Sequence, residues 1–249
     1  MSSKALNVFA GPNGSGKSTI YSQMNNNTST SIYVNADDIE SELISSACIS
    51  FDKYEISITD VILKQYYEKS KQIIQERNET DLWELISLEN NVLFIKENKN
   101  IKGSYLAGCI ASLIRTQLLQ NGFSFSFETV MSNPDKVQFM KHALNLGYKV
   151  RLFFIATNSP EVNTSRVSER VRLGGHDVPA DTITRRYHKT MNNLYDAIKN
   201  SSKSMLFDNS YIESYLFAEI INGEKVEYEK NTVAPKWFHT YYLDKINKT

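Results

Sequence analysis

Short, almost purely apolar runs recur along the chain and are separated by longer amphipathic stretches. The runs ALNVFA (5–10) and VRLFFIA (150–156) have the composition of strands that are buried on both faces of a sheet. Three shorter runs predict further strands at 31–34, 123–128 and 205–207.

The stretches between these runs repeat their apolar residues with the period of a helix. In 105–121, one stripe is formed by Leu106, Ile110, Leu113, Ile114 and Leu118, and Gly122 follows as a stop signal. Similar patterns predict helices from Ser18, over 39–44, from Pro134 to about 147, from Pro160 to Gly174, and from Pro179 to Asn200. Strands that alternate with helices predict an α/β fold of the phosphate-loop (P-loop) NTPase or kinase type, with a mainly parallel sheet flanked by helices. In such a fold, ligands bind at the carboxyl ends of the strands.

Two segments interrupt this alternation. Residues 48–104 predict an inserted helical subdomain with two amphipathic helices, the first marked by Ile58 to Ile73 and the second by Leu82, Leu85, Ile86 and Leu93. The last 35 residues or so predict an edge hairpin that turns at Asn222-Gly223, followed by a tail. We expect a single domain over 1–249 that contains the insert.

The composition limits the expected binding partners of the protein and its expected cellular compartment. The 28 basic residues balance the 28 acidic ones, so no overall field draws the protein to nucleic acid or to an anionic membrane. Cys48 and Cys109 are too few for a disulfide framework, which favours a reducing compartment. We expect a cytoplasmic, soluble protein without a leader, because MSSKALNVFA contains no apolar stretch of signal-peptide length and the sequence contains no bilayer-spanning run of about 20 apolar residues.

The motif GPNGSGKST follows the first strand and leads into a helix, as a phosphate-binding loop requires. Its glycines let backbone N–H groups face one anion, and the helix start adds its positive end. Lys17 is expected to reach the β- and γ-phosphates, and the Ser18 hydroxyl to bind Mg²⁺. The predicted nucleotide-binding residues are Gly11, Pro12, Asn13, Gly14, Ser15, Gly16, Lys17, Ser18 and Thr19.

Acidic residues at the strand ends favour a kinase over a motor or a switch. No apolar strand ends in the usual magnesium-binding Asp of a GTPase or motor. Instead, Asp37 follows SIYVNA and Glu128 follows FSFSF, so both are expected at the sheet edge that carries the loop. A carboxylate placed there can take a proton from an acceptor hydroxyl.

Five blocks in the same order resemble the zeta-toxin family of P-loop kinases, over roughly 1–47 and 105–222. The blocks are GPNGSGKST, VNADDIE, SFSFETVMS, RVSERVRLGGHDVP with RRY, and LFDNS. The resemblance implies an ATP- or GTP-dependent kinase. The characterised toxins of this family phosphorylate a sugar hydroxyl of UDP-N-acetylglucosamine. The segment 48–104 is longer than the family pattern at that point, beside the expected acceptor pocket.

The resemblance implies roles for the two strand-end carboxylates. Asp37 matches the catalytic base, although an Asp after a strand is also a common helix N-cap, a duty that Asp38 could take. Glu128 matches a substrate-side residue that could bind acceptor hydroxyls or the water shell of the metal. Thr129 and Ser132 share its loop, as substrate contacts or as turn residues.

Five of the eight arginines lie in 166–186, namely Arg166, Arg170, Arg172, Arg185 and Arg186. Guanidinium groups suit the charge that spreads over a transferring phosphoryl group, and Gly174-Gly175 could hinge a lid. The alternative is a solvated helix paired with Glu161 and Glu169. The resemblance favours Arg170 as one catalytic arginine, and Arg186 is expected to be the second. His176 falls at a family arginine position, where it could bind phosphate or order the loop.

The combined prediction is an Mg²⁺-dependent kinase that uses ATP or GTP and acts on a hydroxyl of UDP-N-acetylglucosamine or a similar small molecule. The family also implies an antitoxin as a protein partner. The alternatives are a kinase of another hydroxyl metabolite or drug, and a nucleotide-dependent module that docks a partner on 48–104. Asp208 in LFDNS could be a base or part of a plain turn.

Overall fold

The computed structural model describes residues 4–24, 30–76, 85–96, 103–175 and 177–246. Two compact units make up the chain. The first contains Met1–Ser31 and Ser124–Thr249, and the second is the continuous segment Ile32–Phe123, which includes the predicted insert.

A mostly parallel sheet forms the centre of the first unit. Its strands are β1 (Ala5–Ala10), β6 (Phe125–Thr129), β7 (Lys149–Ala156), β8 (Lys203–Asp208), β9 (Tyr215–Ile221) and β10 (Lys225–Tyr228). They lie in the order β10-β9-β8-β7-β1-β6. β1 pairs in parallel with both β6 and β7, and β7 pairs in parallel with β8. β9 runs antiparallel to β8 and to β10, so the predicted parallel sheet and C-terminal hairpin are both confirmed.

Helices flank this sheet. Those of the first unit are α1 (Lys17–Met24), α5 (Asp135–Asn145), α6 (Pro160–Arg172), α7 (Ala180–Asn192) and α8 (Leu194–Lys199). Phe9 of β1 stacks on Phe153 of β7 with ring centroids 4.4 Å apart, and Ile20 of α1 joins the same buried cluster. Because β1, β6, β7 and β8 are parallel, the loops that follow them lie at one edge of the sheet.

The second unit contains helices and a small antiparallel sheet. Its helices are α2 (Ala36–Ser46), α3 (Asp60–Glu76) and α4 (Gly103–Gln120), and its strands are β2 (Ile32–Val34), β3 (Cys48–Ser50), β4 (Ile86–Glu89) and β5 (Val92–Ile95). The small sheet has the order β3-β5-β4.

The second helix predicted for the insert is wrong over the residues that the structure describes, which form two strands instead. Ile86 and Leu93 lie on β4 and β5, while Leu82 lies outside the described residues. Asn90 and Asn91 join the two strands with φ values of 49° and 63°. Two successive positive φ angles are the geometry of a tight hairpin turn, and Asn adopts it readily. The helix predicted over the first half of the insert is confirmed as α3.

The C-terminal region also differs from the prediction. Lys236–Phe238, a π-helical turn at His239–Leu243, and Asp244–Ile246 form a helical segment instead of a tail. Trp237, Phe238 and Tyr242 are at most 3 % exposed, and Trp237 packs against Phe154 and Phe217. Burial of three aromatic side chains fixes this segment in the first unit.

The predicted helix 179–200 is divided in two at Asn193. The side chain of Asn193 donates from Nδ2 to the carbonyl oxygen of Met131 (2.9 Å), and α8 begins at the next residue. Across the described ranges, every helix is too short or too polar to cross a bilayer.

Candidate functional site

The glycine-rich loop joins the fully buried strand β1 to helix α1. Gly11 follows the last residue of β1, and α1 begins at Lys17. The predicted succession of strand, loop and helix is therefore confirmed. It places the backbone N–H groups of the loop next to the positive end of a helix, an arrangement that binds phosphate in many proteins.

Two loop positions are closely enclosed by neighbouring segments. Gly14 and Gly16 have φ angles of +71° and +93°, which side chains rarely adopt. A Cβ atom on Gly14 would lie 2.6 Å from the backbone oxygen of Asn163, and one on Gly16 would lie 2.4 Å from Nδ2 of Asn209. Both positions therefore require glycine for the backbone angle and for the lack of space.

Lys17, Ser18 and Glu128 lie together at the start of α1. The Lys17 Nζ atom donates to the carbonyl oxygen of Pro12 (3.0 Å) and lies 3.7 Å from Glu128 Oε1. The Ser18 hydroxyl donates to the other carboxylate oxygen, Oε2, over 2.9 Å. The side chains of Lys17 and Glu128 are only 7 % and 10 % exposed, so their charges interact with little screening by water.

The strand register explains why Glu128 reaches the loop. Glu128 lies opposite Phe9 in the parallel pair of β1 and β6, and Thr129 lies opposite Ala10. The Gly11 amide then donates to the carbonyl oxygen of Thr129 (3.3 Å). The end of β6 is thus bound to the first residue of the loop. Glu128 therefore lies at the sheet edge that carries the loop, as the sequence predicts.

The oxygen atoms at this point fit a magnesium ion. Mg²⁺ in nucleotide sites is usually bound by one or two protein oxygens, with phosphate oxygens and water completing the octahedron. The Ser18 hydroxyl and the Glu128 carboxylate are 2.9 Å apart and provide such oxygens. No group of three His, Cys, Asp or Glu side chains suited to a metal occurs in the part of the chain that the structure describes. Magnesium would therefore be bound jointly with a phosphate ligand.

A cavity of about 570 Å³ opens beside the loop in the first unit. Gly14, Gly16, Thr19 and Gln23 line one side, and Asn209 and Glu213 lie among the residues of the other. Gly14, Gly16 and Thr19 belong to the predicted nucleotide-binding set, and Asn209 directly follows β8. A volume in this range is typical of pockets for small molecules and cofactors.

Two of the five clustered arginines are engaged with the protein itself. Arg166 donates from Nη1 to the carbonyl oxygen of Asn209 and from Nη2 to that of Tyr211, both over 2.7 Å. Arg172 makes a two-point contact with Glu169, at 2.7 and 3.1 Å. Arg172 thus follows the alternative of an exposed helix paired with Glu169, whereas Arg166 binds backbone carbonyl groups, which neither interpretation predicted.

The remaining arginines lie on both sides of Gly174-Gly175. Arg170 on α6 and Arg186 on α7 are half-buried, whereas Arg185 is exposed and approaches the Thr182 hydroxyl at 3.4 Å. The amide of Gly175 donates to the carbonyl oxygen of Arg170 (2.9 Å). The phosphate-binding roles of Arg170 and Arg186 stay predictions, and His176 lies outside the described residues.

Asp37 lies in the second unit, in the first turn of α2. The N-cap of that helix is Asn35, whose side-chain oxygen accepts from the Asp37 amide (3.0 Å). Capping by Asp37 or Asp38 is therefore wrong, because the helix begins earlier and an Asn already serves its end. Both carboxylates are exposed and stabilise the helix start electrostatically. The role of Asp37 as a base stays a prediction.

Thr129 contributes to a turn after β6. Its hydroxyl oxygen accepts from the Met131 amide (3.0 Å), and Met131 has a φ of 57°. The Thr190 hydroxyl of α7 donates to the carbonyl oxygen of Val130 (2.7 Å), and Asn193 binds the next carbonyl. The loop after Glu128 is thereby fixed to α7. A contact of Thr129 with substrate stays a prediction.

Asp208 has the contacts of a structural residue. It is fully buried at the end of β8, and its Oδ1 atom accepts from Trp237 Nε1 (2.9 Å) and from the Ser210 hydroxyl (2.7 Å). A buried carboxylate with two donors on one oxygen is poorly placed to accept a proton from a substrate. Trp237, to which sequence reasoning assigns no role, therefore helps to fix the segment after β8.

Sequence reasoning misses two asparagines that contact the loop. Asn163 on α6 binds the carbonyl oxygen of Asn13, and Asn209 after β8 binds that of Ser15. Neither belongs to a glycine-rich motif, and each is more than 140 positions from the loop. Asn209 occurs in the LFDNS block. That block indicated a functional segment, but it did not indicate that Asn209 contacts the glycine-rich loop.

Comparison with protein families gives a match over part of the chain. The family model described as Zeta toxin matches residues 107–215. An uncharacterised protein of Haemophilus influenzae is 33% identical over 69 residues, which make up 28% of this chain and 49% of that protein. The chain thus matches about half the length of this curated relative.

Comparison with solved structures shows the fold. A chain of the complex between AvrRxo1-ORF1 and AvrRxo1-ORF2 matches with a TM-score of 0.55 and 13% identity, over 92% of this chain and 62% of that one. The structure of that complex with ATP gives a TM-score of 0.55 at 14% identity, over 91% and 61% of the two chains. This likeness agrees with the predicted α/β fold, a mainly parallel sheet flanked by helices, and at such identity it concerns the fold alone.

Proposed function

We propose, on the premise that residues 107–215 belong to the zeta-toxin family, that the protein is a magnesium-dependent kinase that transfers the γ-phosphoryl group of ATP or GTP to a small-molecule hydroxyl. The observation that carries the proposal is the contact among Lys17, Ser18 and Glu128 at the end of the glycine-rich loop. It combines a cation for phosphate with two oxygen ligands suited to magnesium.

The nucleotide half of the site is supported by the first unit alone. The loop amides and Lys17 would hold the triphosphate. The adjoining cavity between Thr19, Gln23 and Glu213 has room for a nucleoside. The AvrRxo1 complex solved with ATP has the same fold, which agrees with nucleotide binding by this chain.

The proposed transfer makes one bond and breaks one. The acceptor hydroxyl oxygen bonds to the γ-phosphorus as the bond to the β–γ bridging oxygen breaks, which releases the nucleoside diphosphate. Asp37 accepts the hydroxyl proton, and Lys17 with Arg170 and Arg186 neutralises charge on the transferring group. Ser18, with Glu128 beside it, would hold a magnesium ion, which would supply positive charge to the phosphate oxygens.

We propose UDP-N-acetylglucosamine or a related nucleotide sugar as the acceptor, because the family resemblance implies that class. Glu128 and Thr129 are the proposed acceptor-side contacts. We further propose an antitoxin-like protein as partner. The resemblance implies one, and AvrRxo1-ORF1 was solved bound to a second protein. A kinase for another hydroxyl metabolite or drug would use the same nucleotide half.

The proposal is tested by incubating the protein with MgATP or MgGTP and a panel of nucleotide sugars and free sugars, followed by mass spectrometry. We expect one acceptor to gain the mass of a single phosphoryl group. The Asp37→Asn variant should lose about 100-fold or more of this turnover, because proton transfer loses its base.

Asp181→Asn is the matched control, since Asp181 is also an exposed first-turn aspartate of a helix. It should keep full turnover. An Asp37→Asn variant that turns over at the wild-type rate would refute the base assignment. Nucleotide hydrolysis without phosphorylation of any acceptor would refute the kinase proposal itself.

A further inference from the structure

Two asparagine side chains from different parts of the first unit bind the backbone of the glycine-rich loop. Asn163 donates from Nδ2 to the carbonyl oxygen of Asn13, and Asn209 donates from Nδ2 to that of Ser15 (2.8 Å). A carbonyl oxygen can only accept, so in each case the amide nitrogen must be the facing atom. The donor in both contacts is therefore fixed by chemistry.

Asn163 is held firmly on the α6 side. It is fully buried, and its side-chain oxygen contacts the hydroxyl of Thr157, which is also fully buried. The hydroxyl of Tyr187 donates to the carbonyl oxygen of Thr157 (2.7 Å). Burial raises the pKa of Tyr187, so that hydroxyl keeps its proton at neutral pH.

Asn209 is held on the β8 side by its own backbone. Its amide donates to the carbonyl oxygen of Ala156 (2.8 Å), and its carbonyl oxygen accepts from Arg166 (2.7 Å). Arg166 also binds Tyr211, so the guanidinium fixes the segment that presents the Asn209 side chain. The side chain therefore meets the loop from a rigid support.

The planar trans peptide bond gives these contacts a consequence for the next residue. In a trans peptide unit, the C=O of one residue and the N–H of the next point in opposite directions. The Asn13 carbonyl faces α6, so the Gly14 N–H points away from α6. The Ser15 carbonyl faces Asn209, so the Gly16 N–H points away from Asn209.

We propose that Asn163 and Asn209 are positioning residues that orient the Gly14 and Gly16 amides toward the triphosphate. This inference rests on the proposed function, since it concerns the nucleotide half of the same site. It also gives a reason for glycine at 14 and 16. Asn163 and Asn209 lie so close to Gly14 and Gly16 that a Cβ atom at either glycine would displace the neighbouring asparagine.

The test compares Asn163→Leu and Asn209→Leu, which keep the approximate shape of the side chain but remove the donor. Binding of inorganic tripolyphosphate and of a non-hydrolysable ATP analogue is measured by calorimetry. We expect each variant to weaken both about 10-fold, because a mobile peptide group no longer presents its amide. The KM for nucleotide should rise by a similar factor, with a smaller change in kcat.

Asn200→Leu is the matched control, since Asn200 makes the same type of contact with the carbonyl oxygen of Asp196 (2.8 Å) at the end of α8. It should lose a comparable amount of thermal stability and keep full affinity for tripolyphosphate. Should Asn163→Leu not fold because its site is fully buried, the half-buried Asn209, tested as Asn209→Ala, decides the question.

Unchanged affinity for tripolyphosphate in folded Asn209→Leu and Asn209→Ala would overturn the inference. A uniform loss of stability and of activity with no rise in KM would also overturn it, because a merely structural role predicts that pattern. If the wild type binds tripolyphosphate but phosphorylates no acceptor, the proposed function fails. The positioning role can still be measured in that case.

Discussion

At the scale of single residues, the site depends on one cation and one carboxylate at the same end of the glycine-rich loop. Lys17 and Glu128 lie 3.7 Å apart with little exposure to water, and Ser18 binds the carboxylate. With a triphosphate present, the Lys17 ammonium can exchange the Pro12 carbonyl for phosphate oxygens. The same rearrangement would expose Ser18 and Glu128 to a magnesium ion.

The first residue-scale prediction separates backbone strain from crowding at the loop. Gly16→Ala places a Cβ atom 2.4 Å from Asn209 Nδ2, whereas Gly147, with a φ of +80°, has no atom within 4 Å of its Cβ position. Each alanine should cost about 1–2 kcal/mol of unfolding free energy for the left-handed backbone. Only Gly16→Ala should abolish nucleotide binding, as measured by calorimetry. Equal affinity in the two variants would contradict the crowding at Gly16.

At this scale, sequence reasoning predicts the position of a residue where the residue belongs to a local motif, while the roles of these residues stay predictions. Lys17 and Ser18 follow from the spacing of the glycines, and Glu128 from its place at a strand end. Asn163 and Asn209 could not be found in this way, because their contacts with the loop arise from the fold and not from sequence distance. The backbone contacts of Arg166 were not predicted for a related reason. The sequence alone cannot distinguish a guanidinium that binds phosphate from one that binds backbone carbonyl groups.

At the scale of elements, the parallel sheet was predictable because the runs that form β1 and β7 are apolar on both faces. The second predicted helix of the insert failed because apolar residues such as Ile86 and Leu93 fit either a helix or a strand period over so short a stretch. Asn90-Asn91 was the turn signal that could have corrected it. The C-terminal helical segment was missed because its aromatic residues become informative only once their packing partners in the sheet are known.

The element-scale prediction concerns how the C-terminal segment supports the residues after β8. Trp237→Phe removes the hydrogen bond to the buried Asp208 carboxylate and should cost about 1–3 kcal/mol of unfolding free energy. Urea denaturation of Trp237→Phe, Asp208→Leu and the double variant separates this bond from packing, because leucine has no acceptor atom. We expect a coupling energy of about 1 kcal/mol or more. Strict additivity of the two changes would contradict the role of this bond.

At the scale of the whole molecule, balanced charge means that affinity for an anionic nucleotide must come from the local site. The formal net charge is zero, and the Lys17 ammonium lies at the glycine-rich loop, against the Pro12 carbonyl. The proposed nucleotide-binding residues belong to the first unit, whereas Asp37 and the insert belong to the second. Nucleotide binding can therefore be tested separately from phosphorylation of the acceptor.

The most direct measurement is calorimetric titration of the full chain with a non-hydrolysable ATP or GTP analogue, with and without magnesium. We expect binding that weakens when EDTA removes the metal, and at least about 10-fold weaker binding in Lys17→Met, because a charged hydrogen bond to phosphate is lost. Lys189→Met, which removes an exposed lysine from α7, is the control and should bind as the wild type does. Equal affinity in Lys17→Met and Lys189→Met, or no dependence on magnesium, would contradict the account.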